Sequence, residues 1–280
     1  MTAQNSISVI VPALNEAPHL ADTVSELLRA AARHFEEHEI IIVDDGSTDE
    51  TGRIADRLAA AHPTVRAIHH EKPASLGAVF KEGLGLARMH YVTLVNGKND
   101  TTADRISAVW ALKGQADMIV PYSEDASYRP MSRRVVSCLF TRLLNLLFGL
   151  RLKYYNHFVL HRRALVRTLR VRTDSYAFQA EILVKLIRMG HSYLEVAHDD
   201  HTAGEGATKA FRPANLIGVL KFLFWIVYDV HFSGRCRGPK PKVESRQPET
   251  ADSAAVPPCG RLARSGDEGM QGTGDGGGTS

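Results

Sequence analysis

Residues 40–49 read Ile40-Ile41-Ile42-Val43-Asp44-Asp45-Gly46-Ser47-Thr48-Asp49. The four β-branched residues predict a buried strand, and the small polar residues that follow predict a turn. Thr48 or Asp49 then caps a helix from Thr51 to Ala61. The Asp44-Asp45 pair is thereby placed at the carboxyl end of a parallel strand, where open α/β sheets hold their ligands. A solvated turn with an N-cap is the alternative interpretation of this pair.

Strands alternate with helices on both sides of this stretch. The apolar runs predict strands at Ile7–Pro12, Glu39–Val43, Val65–His69, His90–Val95 and Met118–Tyr122, and the helical spacing predicts helices at Ala17–Phe35 and Leu76–Arg88. This alternation predicts an α/β fold of the Rossmann-like kind, with a mostly parallel sheet flanked by helices and joined by right-handed crossovers.

The pattern changes after Tyr122. We predict an apolar, basic helix at Arg133–Leu150, an edge strand at Asn156–Leu160, a helix at Tyr176–Met189, a last strand at Tyr193–Ala197 and a polar lid loop at His198–Phe211. The apolar segment Asn215–Phe232 is interrupted by Lys221 and Asp229, which favours an amphipathic helix lying on a membrane over a core or dimer helix or a spanning helix. We therefore expect a domain at residues 1–212, an interfacial helix at 213–237 and a disordered tail at 238–280.

Charge is unevenly distributed along the chain. The formal net charge is only +3, which does not argue for nucleic acid as a partner. Residues 126–173, however, contain no Asp or Glu and carry a block of basic residues, which indicates a phosphate, a diphosphate or an anionic membrane surface as partner. The block comprises Arg129, Arg133, Arg134, Arg142, Arg151, Lys153, Arg162, Arg163, Arg167, Arg170 and Arg172.

The cysteines and the amino terminus bear on localisation. Cys138, Cys236 and Cys259 lie far apart without metal-ligand or disulfide spacing, so we expect reduced thiols. The polar residues 1–6 do not predict a signal peptide. A cytoplasmic protein, peripheral on the cytosolic membrane face, is the expectation.

Two motifs carry a resemblance to a known family. The segments 11–16, Val-Pro-Ala-Leu-Asn-Glu, and 42–49, Ile-Val-Asp-Asp-Gly-Ser-Thr-Asp, resemble the paired amino-terminal motifs of family 2 glycosyltransferases with the GT-A fold. The segments Phe178–Ile182 and Gly204–Lys209 resemble the polyprenyl-phosphate branch of that family, typified by dolichol-phosphate mannosyltransferase. The resemblance implies an inverting transfer of a sugar from a nucleotide-diphosphate sugar to a polyprenyl phosphate.

The resemblance also implies a donor site. Carboxylates such as Glu16, Asp44 and Asp45 accept hydrogen bonds from base N–H groups and ribose hydroxyls, which is consistent with that role. The residues expected to line the donor site are Pro12, Ala13, Leu14, Asn15, Glu16, Val43, Asp44, Asp45, Ser47, Asn96 and Gly97. For Asn15 and Glu16, a capping turn before the next helix is the alternative.

The end of the fourth strand departs from the family pattern. The family carries an Asp-x-Asp-like motif there, which binds Mg²⁺ or Mn²⁺ against the donor diphosphate, whereas this chain has residues 96–100 as Asn-Gly-Lys-Asn-Asp. Asp100, with Asn96, remains as a weakened metal site. Lys98 can instead place an ammonium against the diphosphate. Loss of transfer activity, or use of a different donor, is the alternative that this departure leaves open.

Basic residues and one acidic residue are expected on the acceptor side. Arg133, Arg134, His201 and Lys209 are the candidates for binding the acceptor phosphate. His201 stands near where the family carries an Arg, and an imidazole is only partly charged at neutral pH. Glu181 resembles the family's acidic residue near the acceptor and is a catalytic candidate beside Asp100 and Lys98; an exposed helix-surface carboxylate is its alternative.

Three hypotheses about the function therefore remain. The leading one is a membrane-associated glycosyltransferase whose partners are a nucleotide-sugar donor, a lipid-linked phosphate acceptor and the membrane surface, with no nucleic acid. The others are a glycosyltransferase with a non-phosphate acceptor and a catalytically inactive domain. A dinucleotide-binding domain is disfavoured because no Gly-x-Gly-x-x-Gly follows the first strand. The sequence leaves the oligomeric state open, a homo-oligomer included.

Overall fold

The computed structural model describes residues 4–99, 101–123, 130–198 and 213–233, together with 236 and 238. The strands are β1 Ser6–Ala13, β2 Glu37–Asp44, β3 Val65–His69, β4 Tyr91–Leu94, β5 Met118–Ser123, β6 Leu160–Arg162 and β7 Tyr193–His198. The helices are α1 Leu20–His34, α2 Thr51–Ala61, α3 Leu76–Leu86, α4 Ala103–Trp110, α5 Met131–Phe148, α6 Arg163–Arg167, α7 Phe178–Arg188 and α8 Pro213–Val227, and a π-helical turn, Tyr228–Phe232, continues α8.

The strands form one mostly parallel sheet in the order β3-β2-β1-β4-β6-β5-β7. β1 pairs in parallel with β2 and β4, β2 with β3, and β5 with β7. Only β6, among the described strands, runs antiparallel to its two neighbours, β4 and β5. The predicted α/β fold with a mostly parallel sheet is confirmed.

The sheet has a hydrophobic core on each face because successive residues of a strand point to opposite sides. On β2, Ile41 and Val43 pack with α3, α5 and α7 in one core, whereas Ile40 and Ile42 pack with α1 and α4 in the other. All four side chains are fully buried. The central run of β-branched residues is therefore a strand covered on both faces, as its composition predicts.

Several elements of the structure differ from the prediction. The edge strand expected at residues 156–160 is wrong, since β6 lies at Leu160–Arg162, inside the sheet between β4 and β5. Three residues with a polar end carry too weak a pattern to reveal an internal strand. The helix α4 also went unpredicted, although Ile106, Val109 and Trp110 bury its inner face.

Two expectations near the carboxyl terminus have different outcomes. The expected apolar helix forms, but Phe222, Ile226 and Val230 on α8 and the π-helical turn belong to the core beside α7, so this segment packs into the domain. The predicted tail, apart from Gly238, and the predicted lid loop, apart from His198 at its first position, lie outside the described residues.

Cys138 on α5 is disulfide-bonded, so the expectation of three reduced thiols is wrong and no longer supports a cytoplasmic setting.

Candidate functional site

The candidate site begins where β1 and β2 end side by side. Ala13 pairs with Asp44 across the two strands, and the Asp45 N–H donates to the Ala13 carbonyl at 2.8 Å. Ala13 and Val43 are buried in the cores, so these two predicted donor-site residues offer only backbone to the site. The polar residues that follow them are carried beyond the sheet edge, where ligands of open α/β sheets bind.

The loops after β1 and β2 are hydrogen-bonded to each other. The Asn15 N–H donates to Ser47 Oγ at 3.0 Å, and the Thr48 N–H donates to Asn15 Oδ1 at 2.9 Å. The Glu16 N–H donates to Thr51 Oγ1 at 2.8 Å. Asn15 adopts a left-handed backbone with φ 57°, a conformation that Asn tolerates better than most residues. The two predicted motifs therefore form one rigid unit rather than two separate turns.

Asp44 is 6% exposed and has a hydrogen-bond donor at each oxygen. Its Oδ1 accepts from the Ser47 N–H at 3.0 Å, and its Oδ2 lies 3.0 Å from His69 Nδ1. Burial alone would raise the pKa of this carboxyl, but the bonds from Ser47 and His69 outweigh it and hold the pKa below its ordinary value. Gly52 on α2 leaves room for this carboxylate, since a Cβ there would stand 2.8 Å from Oδ2.

Asp45, 7% exposed, is bound by the loop before α3. Its Oδ1 accepts from the Ala74 N–H at 2.7 Å and lies 2.7 Å from His70 Nδ1, while Oδ2 accepts from the Ser75 N–H at 3.3 Å. The turn requires glycine at position 46, where φ is +75° and a Cβ would meet the Lys72 carbonyl carbon at 2.9 Å. The solvated-turn alternative for the Asp pair is therefore wrong, because both carboxylates are buried and held.

Sequence reasoning missed the two histidines that hold these carboxylates. The outer nitrogen of each ring faces a second carboxylate: His69 Nε2 lies 3.0 Å from Asp56 Oδ1, and His70 Nε2 lies 2.6 Å from Glu82 Oε2. The available signal was the pair of consecutive histidines at the end of the predicted strand Val65–His69.

The loop after β4 closes the site on its other side. The Gly97 N–H donates to the Pro12 carbonyl at 3.1 Å, and Thr23 Oγ1 on α1 donates to the Gly97 carbonyl at 3.0 Å. A Cβ at Gly97 would stand 3.0 Å from that Pro12 oxygen, so the close approach of the two loops favours glycine. Asn96 and Lys98, which flank it, are exposed. The structure thus brings these predicted residues beside the β1 loop, with Leu14 exposed nearby on that loop.

The described part of this loop does not fit a divalent cation. Asn96 offers an amide oxygen and Lys98 an ammonium, whereas Mg²⁺ and Mn²⁺ bind oxygen ligands that are largely carboxylates. No cluster of three or more His, Cys, Asp or Glu side chains able to hold a metal occurs within the residues that the structure describes. Asp100, the predicted metal ligand, lies outside those residues.

Glu181 lies in a buried network of charges on α7. It is 2% exposed, and its two oxygens accept from the backbone N–H groups of Arg172 and Thr173 at 2.9 Å each. Lys185, one turn later, donates to Glu181 at 2.5 Å and to Asp229 of the π-helical turn at 2.7 Å. The alternative of an exposed helix-surface carboxylate is wrong.

The segment that Glu181 binds also touches the donor side. Ser75 Oγ and the Gly77 N–H both donate to the Asp174 carbonyl, at 2.6 Å and 2.9 Å. Ser75 in turn donates its N–H to Asp45. Residues 172–175 and Ser75 thus connect Glu181 to Asp45, and Glu181 itself does not contact the Asp pair.

The predicted phosphate-binding residues fall into two groups. Arg133 and Arg134 lie in the first turn of α5, with Arg133 exposed and Arg134 half-buried. His201 and Lys209 lie outside the described residues.

A second surface is apolar and faces outward on α5, α8 and the π-helical turn. The two elements are in contact, since His231 Nε2 lies 3.1 Å from the Leu147 carbonyl and the rings of Phe140 and Phe222 are 6.1 Å apart. We call this surface the apolar face; its exposed members are Met131, Val135, Val136, Leu139, Leu143, Leu146, Leu147, Phe224, Trp225, Tyr228 and Phe232. Leu146 and Phe232 are 83% and 74% exposed. Among the described helices none is both long and apolar enough to cross a membrane.

Comparison with known proteins assigns the amino-terminal part of the chain. Residues 8–112 match the family model of glycosyl transferase family 2. A glycosyltransferase of Streptococcus pneumoniae, GlyG, is 29% identical over 41% of this chain, which spans 38% of that protein's length.

Two relatives align over most of their own length. An undecaprenyl-phosphate mannosyltransferase of Micrococcus luteus is 26% identical over 68% of this chain and 81% of its own. A polyprenol monophosphomannose synthase of Mycolicibacterium smegmatis is 29% identical over 67% of this chain and 74% of its own.

Solved structures share the fold. The glucosyl-3-phosphoglycerate synthase of Mycobacterium tuberculosis in complex with UDP superposes with a TM-score of 0.57 at 18% identity, covering 84% of this chain and 82% of the other. The same enzyme with Mg²⁺ and UDP gives a TM-score of 0.58 at 15% identity, over 84% of this chain and 81% of the other. This likeness establishes the GT-A architecture.

Proposed function

We propose that this chain, whose residues 8–112 match the family model of glycosyl transferase family 2, is a transferase that moves a sugar from a nucleotide-diphosphate sugar to a polyprenyl phosphate with inversion. The observation that carries the choice of acceptor is the apolar face beside the basic start of α5. A lipid-linked phosphate needs both an apolar surface for its chain and cations for its headgroup.

The donor is proposed to bind at the edge formed by the β1, β2 and β4 loops. Glu16, Asp44 and Asp45 are the candidates to accept hydrogen bonds from the base and ribose, since carboxylates are acceptors only. The neighbouring GT-A enzyme of known structure holds UDP, so a uridine diphosphate sugar is the first donor to test.

The acceptor is proposed to approach along α5. Two relatives carry undecaprenyl phosphate or polyprenol monophosphate chemistry in their names, which supports a lipid-linked acceptor here. Arg133 and Arg134 are the proposed contacts for its phosphate, with His201 and Lys209 as further candidates from the sequence. The apolar face would rest on the bilayer, so that the protein is peripheral; we propose the cytosolic side.

The proposed chemistry needs little base catalysis, since the acceptor phosphate is already an anion. One of its oxygens attacks the anomeric carbon in line, the new carbon–oxygen bond forms, and the bond from that carbon to the nucleoside diphosphate breaks with its electron pair leaving on the diphosphate. Orientation of the two substrates and neutralisation of charge on the leaving group then account for the acceleration of the transfer step. Glu181 is expected to act by fixing residues 172–175, since its oxygens are already bonded.

Neutralisation of the diphosphate is proposed to fall to Lys98. Its ammonium is exposed on the loop beside the donor edge and can oppose charge on the leaving group. The GT-A neighbour is crystallised with Mg²⁺ and UDP, and a bound divalent cation would supply the same charge. In this chain Asp100 is the proposed ligand for such a cation.

The experiment is a transfer assay on the purified full chain. Nucleotide sugars of uridine and guanosine are each incubated with undecaprenyl or dolichyl phosphate in vesicles, with Mn²⁺, Mg²⁺ or EDTA, and the glycolipid and released nucleoside diphosphate are quantified. Formation of a glycosyl phosphate lipid supports the proposal. Transfer only to a soluble acceptor, or neither binding nor transfer under any condition, refutes it; the last outcome favours the inactive domain that residues 96–98 suggest.

A further inference from the structure

Two histidines bridge the Asp pair to the helices on opposite faces of the sheet. His69 is the register partner of Asp44 on the parallel strands β3 and β2, and His70 follows beside Asp45. Because consecutive residues point to opposite faces, the rings diverge: His69 meets Asp56 on α2, and His70 meets Glu82 on α3. These helices pack against different cores of the sheet.

An imidazole between two carboxylates is restricted to one protonation state. A neutral ring has one N–H donor and one bare acceptor nitrogen, and a bare nitrogen opposite a carboxylate oxygen repels it. Each of these rings has an oxygen at 2.6–3.0 Å from both nitrogens. The cationic form, which donates from both nitrogens, is therefore the form of each ring that fits this arrangement.

We infer that His69 and His70 are positioning residues of the donor site, which hold the carboxylates of Asp44 and Asp45 in place for the nucleoside. The inference rests on the proposed function, because it needs a nucleotide sugar at this edge. It assigns a role to two residues outside the motifs that identify the domain. Asp56 and Glu82 complete the arrangement: each faces the Nε2 atom of one ring, favours its cationic form and fixes its orientation.

The charges at the edge give the arrangement a pH dependence. The groups that face the rings are Asp44 and Asp56 for His69, and Asp45 and Glu82 for His70. The bond to Asp44 chiefly raises the pKa of His69; burial opposes the charged form of His70, but its bonds to Asp45 and Glu82 prevail and raise its pKa. When both rings are cationic, they offset part of the negative charge of the four carboxylates that face them.

Loss of the ring protons changes both geometry and charge. Above the raised pKa values, each ring gives up one of its two bonds and the edge gains negative charge. An anionic donor then meets a less ordered and more negative site. Donor affinity is therefore highest below the raised pKa values and falls as the pH rises through them.

The test measures donor affinity by calorimetry on the full chain between about pH 5.5 and 8.5. The probes are UDP-glucose and GDP-mannose, whose diphosphates are esterified at both ends and keep a constant charge over this range. His69→Gln and His70→Gln are compared with His38→Gln, a matched change at the far end of β2. We expect affinity to fall about tenfold in each site variant, with a flatter pH profile, and no change in the control.

A milder variant guards against misfolding. Glu82→Gln leaves His70 and Asp45 intact and changes a half-exposed side chain. It is expected to shift the fall in affinity to lower pH. In parallel, ¹⁵N shifts of the histidine rings in the unliganded chain should show His69 and His70 protonated on both nitrogens at neutral pH.

The outcomes separate the two proposals. Wild-type binding that is unaffected by pH and by the His69 and His70 variants overturns the inference and leaves the proposed function standing. Rings that are neutral at pH 7 overturn it as well. Absence of any nucleotide-sugar binding by the wild type overturns the proposed function, and the positioning role falls with it.

Discussion

The ammonium of Lys185 lies 2.7 Å from a carboxylate oxygen of Asp229, although 44 residues separate them in the chain. Both side chains are nearly fully buried, at 3% and 4% exposed. Arg172 adds two bonds to Asp229, at 3.0 and 3.1 Å, and its guanidinium lies over the Trp225 ring. The π-helical turn that bears part of the apolar face is thus fastened to α7 by charges.

Breaking this buried pair should destabilise the domain strongly. Asp229→Asn removes a negative charge that compensates the buried charges of Lys185 and Arg172. We expect a loss of about 3–5 kcal/mol in the free energy of unfolding. Urea unfolding followed by circular dichroism measures it. Replacing both partners, as Lys185→Met with Asp229→Leu, should recover part of the loss. A loss in the double variant equal to the sum of the losses in Lys185→Met and Asp229→Leu would show that the charges are not coupled.

Asp45 should be required for donor binding but not for folding. Asp45→Ala removes an acceptor that the Ala74 N–H and His70 hold in place, and we expect no detectable binding of the nucleotide sugar. Asp22→Ala on the exposed surface of α1 serves as the control. Calorimetry and a thermal melt of each variant check both parts. Wild-type affinity in Asp45→Ala would refute the site assignment.

Lys98 should govern how the enzyme uses divalent cations. Loss of its ammonium in Lys98→Ala should lower kcat by about 100-fold with a smaller change in KM, because the charge acts on the leaving group. Lys98→Asp should become dependent on added Mn²⁺, since it restores a carboxylate ligand. Lys113→Ala, which removes an ammonium that lies over the Phe35 ring, is the control. Unchanged turnover in Lys98→Ala would exclude this role.

The apolar face should mediate vesicle binding. Glutamate at Leu146 and Phe232 places charge on the two most exposed members of the face, and we expect the partition coefficient on anionic vesicles to fall at least about tenfold. Leu86→Glu changes a comparably apolar but separate residue, 38% exposed at the end of α3, and should leave partitioning intact. Flotation with labelled lipids measures it; equal effects at all three positions would contradict an assigned face.

Acid should destabilise the domain through His161 on the internal strand β6. Burial lowers the pKa of His161 from 6.5 to about 3, and Gln179 Nε2 lies 2.8 Å from its ring. Since the folded pKa is depressed, the stabilisation is complete above the unfolded pKa and is lost as the pH falls towards the folded one. The slope of unfolding free energy between about pH 6.5 and 4 should therefore be smaller in His161→Gln than in the wild type. Parallel slopes would contradict a buried neutral ring.

The sequence predicts the strands well where composition dictates burial. Ile40 to Val43 can be stable only when covered on both faces, so the central strand and its loop with Asp44 and Asp45 follow from it. The strand β6 was mislocated because His161 and Arg162 owe their place to pairing with β4 and β5, which no local pattern encodes.

The candidate site was predictable in its motifs but not in its supports. The bridge from Asp44 to His69 depends on the register between two strands, and the burial of Glu181 depends on Lys185 and on Asp229 far along the chain. Local propensity carries no information about such pairings, since each of these residues in isolation is typical of a solvated surface.

The antiparallel strand β6 divides the sheet into two blocks of parallel strands. The family match ends at residue 112, after β1 to β4 and before β5, so the recognisable part coincides with the block that carries the Asp pair. The other block, β5 and β7 with the helices around them, is joined to it within the sheet through β6, and the cores on both faces contain residues of both blocks. A chimera cut at residue 112 must therefore preserve the contacts that cross between the blocks, such as the bond from Ser75 Oγ to the Asp174 carbonyl.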